Sequence, residues 1–256
     1  MWFRNVSTHG KFELMGNKLL VDVTFDFRTD ATGPDVDSSS LTLKKYHQTL
    51  WSKLLPSGKK FFLSDNNRAT YLTYEQGERI FYLSSDSISN SYRNHKRMHG
   101  IVKEIDDLAA KFQDIGNTIG GYIIFPSKSD EKGMSINQER GVNHHIADRF
   151  DLTLECIRLH YLNQSSPLES VLKRNSEFFE LFGTFSDYVS FFYLDDLVDP
   201  SYGSVRFFLP AQGFGGSGLP SDKEAYKRYM KNSMEFTIRR NERIKNLAIP
   251  LLKFSD

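Results

Sequence analysis

The feature that most constrains the fold is the run from Thr118 to Tyr161, which combines an apolar pattern with many polar groups. Its first part, Thr118 to Phe125, is rich in β-branched and aromatic residues and is followed by Pro126. Such a run predicts a central strand that is buried on both faces. Gly120 and Gly121 lie inside it, and a glycine weakens a strand unless a close backbone or ligand needs the room.

The second part of this run predicts a helix from Asn143 to Tyr161, preceded by a turn at Ser135 to Gly141. Asn143 is suited to cap the first turn of such a helix. At about 100° per residue, the apolar side chains fall on two nearly opposite faces. Because each apolar face needs a covering layer, we expect this central helix to be packed on both sides. The first face holds Ile146, Phe150, Leu154, Ile157 and Tyr161, and the second holds Leu152, Cys156 and Leu159.

Two polar stripes remain between those faces. One consists of Asp148, Asp151, Glu155 and Arg158, and the other of Arg149, Thr153 and His160. Residues three or four apart on a helix are neighbours, so the three carboxylates of the first stripe are expected to share one surface. Adjacent carboxylates that are partly buried repel, and one of them then keeps its proton or takes a cationic partner.

This arrangement supports two interpretations. In the first, Asp148, Asp151 and Glu155 are catalytic acids, bases or ligands, and four nearby cationic side chains bind an anionic substrate. Those four are Arg140, Arg149, Arg158 and His160. In the second interpretation, the same residues form an internal salt-bridge network that fixes the helix.

A metal site is not predicted. His144 and His145 stand close to Asp148, but the sequence offers no further histidine or cysteine ligands at the spacing of a zinc site. No cofactor is indicated either.

Several segments resemble a family of bacterial proteins described as a domain of unknown function. They are TIGGYIIFP, INQERG and IADRFDLTLECIRLHY, together with LTLKKYHQTLWSKLLPSG, FYLSSDSI and FFELFGTFSDYVSFFYLDDLV. The resemblance implies one family-length domain. It brings no activity, substrate or catalytic residue with it.

The composition of the chain indicates the cellular compartment in which the protein is expected. The 256 residues carry a formal net charge of +1, which gives no global attraction to nucleic acid or membranes. Cys156 is the single cysteine, so no disulfide framework exists and a reducing compartment is expected. No apolar run reaches the length of a membrane span, and the N-terminus lacks a signal-peptide pattern. We predict a soluble, cytoplasmic protein without a membrane partner.

The flanking segments predict an α+β fold with a mostly antiparallel sheet and helices packed around the central strand and helix. An N-terminal hairpin is expected at Lys11 to Phe27, a helix at Ser40 to Leu55, and short strands at Phe61 to Leu63, Ala69 to Thr73 and Arg79 to Ser84. Later segments predict a helix at Leu168 to Phe182, a strand at Val205 to Leu209 and a final helix that ends near Leu247. One domain over residues 1–256 is predicted, with two closely packed lobes at about 1–90 and 91–256 as a variant.

The final helix is the most basic element of the chain. It carries Arg239 and Arg243 among eight lysines and arginines. A basic helix face is typical of a surface for RNA, DNA or an acidic partner, although it is also typical of a solvated face. We include Arg239 and Arg243 among the candidate substrate-binding residues.

Three functions follow as hypotheses. The first is an intracellular bacterial enzyme that acts on a nucleotide, nucleic acid or other phosphorylated substrate through a buried Asp/Glu/Arg site. The second is a noncatalytic nucleic-acid or protein binding module that uses the basic C-terminal helix. The third is a structural or oligomeric protein whose polar stripes are an internal ion-pair network.

Overall fold

The fold is described from a computed structural model, which covers residues 12–15, 18–65, 71–105, 107–127, 133–210 and 213–247. Lys11, where the first predicted strand begins, lies outside these residues, as does the start of the strand predicted at Ala69 to Thr73. The fold is α+β with antiparallel strand pairing, as predicted.

Four antiparallel strands form the main sheet, in the order β5-β6-β7-β8. Two short hairpins, β1-β2 and β3-β4, stand beside it. Gly77 has a φ of 62° and supplies the left-handed conformation that the tight turn between β6 and β7 requires. The strands are β1 Phe12–Met15, β2 Lys18–Val21, β3 Lys53–Leu54, β4 Lys60–Phe61, β5 Leu63–Ser64, β6 Leu72–Gln76, β7 Arg79–Ser87 and β8 Tyr122–Pro126.

Strand β8 is the buried strand that the sequence predicts, with all five residues buried. It stands at the end of the sheet rather than inside it, and helices cover it. Gly120 and Gly121 do not belong to the strand but to a 3-10 turn that precedes it. A side chain at Gly120 would lie 2.5 Å from the carbonyl oxygen of Thr237, so the glycine serves close packing against the last helix.

The helices pack around this sheet and around one another. They are α1 Val36–Ser39, α2 Leu41–Trp51, α3 His99–Val102, α4 Asp107–Gly116, α5 Ile136–Val142, α6 Phe150–Tyr161, α7 Glu169–Arg174, α8 Ser176–Glu180, α9 Phe185–Phe191 and α10 Lys223–Lys245. Ser40 caps α2 by accepting a hydrogen bond from the Leu43 N–H, as expected for a helix start. The helix predicted at Leu168 to Phe182 is divided at Asn175, and the strand predicted at Val205 to Leu209 is reduced to a single bridge between Val198 and Val205.

The central helix, α6, begins seven residues later than predicted. The segment predicted as a turn, Ser135 to Gly141, instead forms most of α5, with a capping box between Ser135 and Gln138. Asn143 ends α5 rather than starting α6. The chain then bends through Ala147 and Asp148, whose φ angles of 47° and 58° are left-handed and therefore incompatible with a continuous helix. Both apolar faces of α6 are covered, as predicted.

The buried side chains form one hydrophobic cluster that runs from Val21 to Ile244. The two segments predicted as lobes, 1–90 and 91–256, share the main sheet, because β7 comes from the first and β8 from the second. Within the described ranges, no helix combines the length and the hydropathy that crossing a bilayer requires.

Candidate functional site

The predicted carboxylate stripe is divided among three arginines. Asp148 lies outside α6, so it does not share a helix surface with Asp151 and Glu155, and the prediction of one common surface is wrong. The physical reason is the left-handed backbone at Ala147 and Asp148, which ends helical periodicity before α6 begins. Each carboxylate instead has a different arginine partner: Arg140 for Asp148, Arg149 for Asp151 and Arg158 for Glu155.

Asp151 and Arg149 form a sealed pair. The Asp151 side chain is fully buried and that of Arg149 is 4 % exposed. Both carboxylate oxygens are occupied, because one accepts from Arg149 Nε at 3.1 Å and the other from the Phe208 N–H at 2.7 Å. Arg149 also donates to the carbonyl of Leu209 at 3.1 Å. With every strong acceptor and donor paired, this part of the predicted site serves packing.

Glu155 and Arg158 form a second, separate pair at 2.8 Å on the outer side of α6. His160 lies further along the helix and packs against the ring of Phe179, with 5.4 Å between ring centroids. Burial lowers the pKa of His160. None of the three forms a described contact with Asp148 or Arg140. The structure therefore does not bring these predicted site residues together.

The basic face of α10 is largely neutralised. Arg239 pairs with Glu235, and Arg243 donates to Asp196 at 2.5 Å. Lys223 and Lys227 also have carboxylate partners. Arg240 is fully buried and donates to backbone carbonyls, so it holds elements together rather than facing solvent. This pairing lowers the positive potential that binding of a nucleic acid would need.

A different polar cluster lies where strand β7 changes its partner. Strand β6 pairs with the first half of β7, as far as Leu83, and β8 pairs with the second half, from Leu83 to Ser87. One edge of β7 is thus free of a described strand partner from Ser84 onward. Helix α5 covers this edge, and Asn137 donates to the carbonyl of Ser85 at 3.0 Å. Because no described strand hydrogen-bonds to this edge of β7, polar side chains have room to lie against it.

Arg140 is the centre of this cluster. Its side chain is fully buried, and its Nη1 donates to Asp86. Its Nη2 lies 3.4 Å from a carboxylate oxygen of Asp148, and its Nε donates to Thr153 at 2.9 Å. We call Arg140, Asp37, Asp86 and Asp148 the Arg140 cluster. The side chains of Asp86 and Asp148 are 12 % and 22 % exposed, so solvent reaches the cluster from one side.

Two carboxylates share one guanidinium in the Arg140 cluster, and the third carboxyl group, Asp37, lies near enough to feel their charges. Burial and a hydrogen bond with Asp35 raise the pKa of Asp37 to about 9, and the nearby charges of Asp86 and Asp148 act in the same direction. Burial also raises the pKa of Asp86 to about 7, although Arg140 opposes that rise. Asp37 therefore holds a proton at neutral pH, beside a second carboxyl that titrates in the same range.

The backbone around the cluster is strained. Asp148 and Ala147 have left-handed φ angles, and so does Tyr92, at 53°. The three are tied together, since Asn90 donates to a carboxylate oxygen of Asp148 at 2.6 Å and Tyr92 donates to the carbonyl of Ala147 at 2.9 Å. Strained non-glycine residues cost free energy and concentrate at functional sites.

A hydrogen-bonded chain runs through the core to Ser85, the residue before Asp86 on β7. The indole N–H of Trp51 can only donate, and it donates to Nδ1 of His47 at 2.9 Å. His47 Nε2 must then carry the proton, which it shares with the hydroxyl of Ser85 at 3.0 Å. Burial lowers the pKa of His47 to about 3, so its ring is neutral and serves to orient Ser85. The hydroxyl of Tyr71 is also buried, beside Ser85.

A family model described as "Family of unknown function (DUF6994)" matches residues 21–244. The chain belongs to this family. The matched range includes the whole Arg140 cluster, from Asp37 to Asp148. No curated protein and no solved structure matches the chain.

The sequence predicts two of the four residues of the Arg140 cluster as site residues. Arg140 and Asp148 were candidates, whereas Asp37 and Asp86 were not. The Leu83 to Ser87 run, with its cluster of hydroxyl and carboxyl side chains at a strand end, was the available signal for Asp86. Asp37 offered none, because an aspartate in a loop rich in Asp, Ser, Gly and Pro is ordinarily solvated. Among the described residues, no group of three or more His, Cys, Asp or Glu side chains has the arrangement of a metal site.

Proposed function

We propose that this protein is an intracellular bacterial enzyme that acts on a nucleotide or another phosphorylated, hydroxyl-bearing substrate by general acid–base catalysis at the Arg140 cluster. The observation that carries the proposal is that two carboxylates pair with one buried guanidinium at a partly exposed strand edge, beside a third carboxyl group, Asp37, whose pKa their charges help to raise. A structural ion pair needs one carboxylate, and each additional carboxyl group raises the free energy of the folded state.

Each residue of the cluster has a distinct role in this proposal. Asp37 is protonated at neutral pH and half-buried, so it is the group able to donate a proton to a leaving oxygen or nitrogen. Asp148 is the most exposed carboxylate held by Arg140, and it accepts a proton or stabilises positive charge that develops on the substrate. Arg140 positions Asp86 and Asp148 and does not itself contact the substrate, because its side chain is fully buried.

The substrate class follows from what surrounds these groups. Carboxylates accept hydrogen bonds, so the cluster suits the hydroxyl groups of a sugar ring. Arg93, Lys96 and Arg97 are exposed on the segment that follows Asn90, whose side chain donates to Asp148, and such cations bind phosphate. A phosphorylated sugar or nucleotide presents both features within one molecule.

The proposal is tested by incubating the protein with nucleoside monophosphates, nucleoside diphosphates and pentose phosphates and following their consumption by phosphorus and proton NMR. We expect the wild type to consume at least one of them and Asp37→Asn to lose roughly 100-fold or more in rate, because the proton donor is removed. Asp37→Asn should retain its fold, since it replaces a group that is already neutral. Glu78→Gln, in the exposed turn between β6 and β7, is the control and should keep wild-type activity. Full activity in Asp37→Asn would contradict the proposal.

A further inference from the structure

A groove of about 210 Å³ lies between α10 and the segment that follows the 3-10 turn Asp195–Leu197. None of its lining residues belongs to the Arg140 cluster. It combines exposed arginines, a half-buried aromatic ring and an amide, and its polar and aromatic lining includes Asp196, Arg206, Phe207, Asn232, Glu235 and Arg239.

The segment 206–208 forms one wall of this groove without being a helix or strand. Its backbone is held from the interior: Asp151 accepts from the Phe208 N–H at 2.7 Å, and Asn232 donates to the Phe208 carbonyl at 2.7 Å. Arg149 donates to the carbonyl of Leu209, the next residue. The sealed Arg149–Asp151 pair thus fixes an irregular segment, and that segment presents Arg206 and Phe207 outward from a rigid base.

The lining of the groove carries two arginines and two carboxylates. Arg206 is exposed and forms no ion pair with any described residue, whereas Arg239 pairs with Glu235 and Arg243 pairs with Asp196. Arg243 does not line the groove, so both lining carboxylates have partners and Arg206 is the lining cation that has none among the described residues. The Arg239–Glu235 pair is exposed on both sides, so its rupture by a competing anion costs little free energy.

We propose that this groove binds a small phosphate monoester that carries a planar group. Arg206 and Arg239 hold the phosphate, since guanidinium groups match its oxygens in bidentate geometry. The half-buried ring of Phe207 packs against the planar group, as aromatic side chains do with bases. The site does not depend on the Arg140 cluster or on the proposed function.

The test is titration of the full-length protein with phenyl phosphate and, separately, with inorganic phosphate, followed by calorimetry and NMR. We expect phenyl phosphate to bind saturably and more tightly than inorganic phosphate. Arg206→Ala should weaken both ligands by about tenfold, and Arg206→Lys should weaken them less, because lysine keeps the charge but not the bidentate fork. Phe207→Leu should weaken phenyl phosphate alone.

A variant that is expected to increase the affinity for phosphate provides a second test. Glu235→Gln removes the competing carboxylate and frees Arg239, so it should tighten both ligands by about threefold. Lys231→Ala removes an exposed cation elsewhere on α10 and is the control for nonspecific charge attraction. Asp37→Asn should leave this binding unchanged even where it abolishes catalysis.

Three outcomes would overturn the proposal. The first is the absence of saturable phenyl phosphate binding at millimolar concentration. The second is an equal loss in Lys231→Ala and Arg206→Ala, which indicates diffuse attraction. The third is unchanged phenyl phosphate affinity in Phe207→Leu, which removes the aromatic contact from the site.

Discussion

The Arg149–Asp151 pair and the Arg140 cluster are both built on a buried arginine in the same part of the chain, yet their stoichiometry differs. Arg149 has one carboxylate partner, and both oxygens of that carboxylate are saturated by hydrogen bonds. Arg140 has two carboxylate partners, Asp86 and Asp148, and solvent reaches both of them. Their charges help to raise the pKa of a third carboxyl group, that of Asp37. A buried ion pair with balanced charge and saturated hydrogen bonds is typical of a structural contact. An excess of carboxyl groups at a solvent-exposed edge is typical of a catalytic or binding site.

Breaking the balanced pair is expected to have the largest effect on stability. Asp151→Asn keeps the shape of the side chain but leaves the Arg149 charge buried without a partner, which costs about 3–5 kcal/mol of unfolding free energy. Urea unfolding followed by circular dichroism measures the loss. Asp148→Asn is the comparison variant and should cost less, because Asp86 still balances Arg140. A loss below about 1 kcal/mol in Asp151→Asn would show that the pair is not a structural anchor.

The excess charge of the Arg140 cluster predicts an intermediate effect that depends on pH. The pKa of Asp37 rises from its ordinary 3.8 to about 9, so the folded state binds more protons than the unfolded state between these values. The unfolding free energy contributed by Asp37 is therefore fully present below pH 3.8 and decreases as pH rises through 9. Asp37→Asn should remove this slope and stabilise the protein at pH 8 by on the order of 1 kcal/mol.

The slope is obtained from urea unfolding of the wild type and Asp37→Asn between pH 5 and pH 9, in roughly unit steps. Glu78→Gln, in the exposed turn between β6 and β7, is the control for a carboxylate outside the cluster. Its slope should equal that of the wild type. Parallel curves for the wild type and Asp37→Asn would refute the raised pKa of Asp37.

The smallest effects are expected at the ion pairs that lie nearer the surface. Glu155→Gln removes the Arg158 partner at a site 14 % exposed and should cost about 1 kcal/mol or less. Arg239→Ala, in a pair about half exposed, should change the unfolding free energy by less than about 0.5 kcal/mol. Thermal unfolding at low and high salt ranks the two, and a larger loss in Arg239→Ala would contradict the ranking by burial.

Local sequence patterns anticipated the elements whose stability is local. A cap at Ser39 or Ser40 and an apolar side predicted helix α2, and Ser40 is the cap in the structure. The dense apolar run predicted the buried strand β8. The two-sided apolar pattern of α6 predicted that both of its faces are covered, which they are. These predictions held because periodicity and capping act over one or two turns of chain.

Local sequence patterns do not predict the bend between α5 and α6. Its left-handed residues, Ala147 and Asp148, are not glycines, and hydrogen bonds from Tyr92 and Asn90 hold them in place. These partners lie more than fifty positions away, so the local sequence favoured one continuous helix.

The sequence by itself determined the fold class, the buried strand, the apolar faces of α6 and the presence of charged residues that need partners. Only the tertiary structure decided which partners they have. Asp86 meets Arg140, and Asp37 comes near the charges of Asp86 and Asp148, because β7 extends beyond β6 and leaves an edge against which α1 and α5 pack. Ion pairs between residues far apart in the sequence depend on how separate helices and strands pack. The free energy of that packing comes from contacts throughout the core, so no single segment of sequence predicts it.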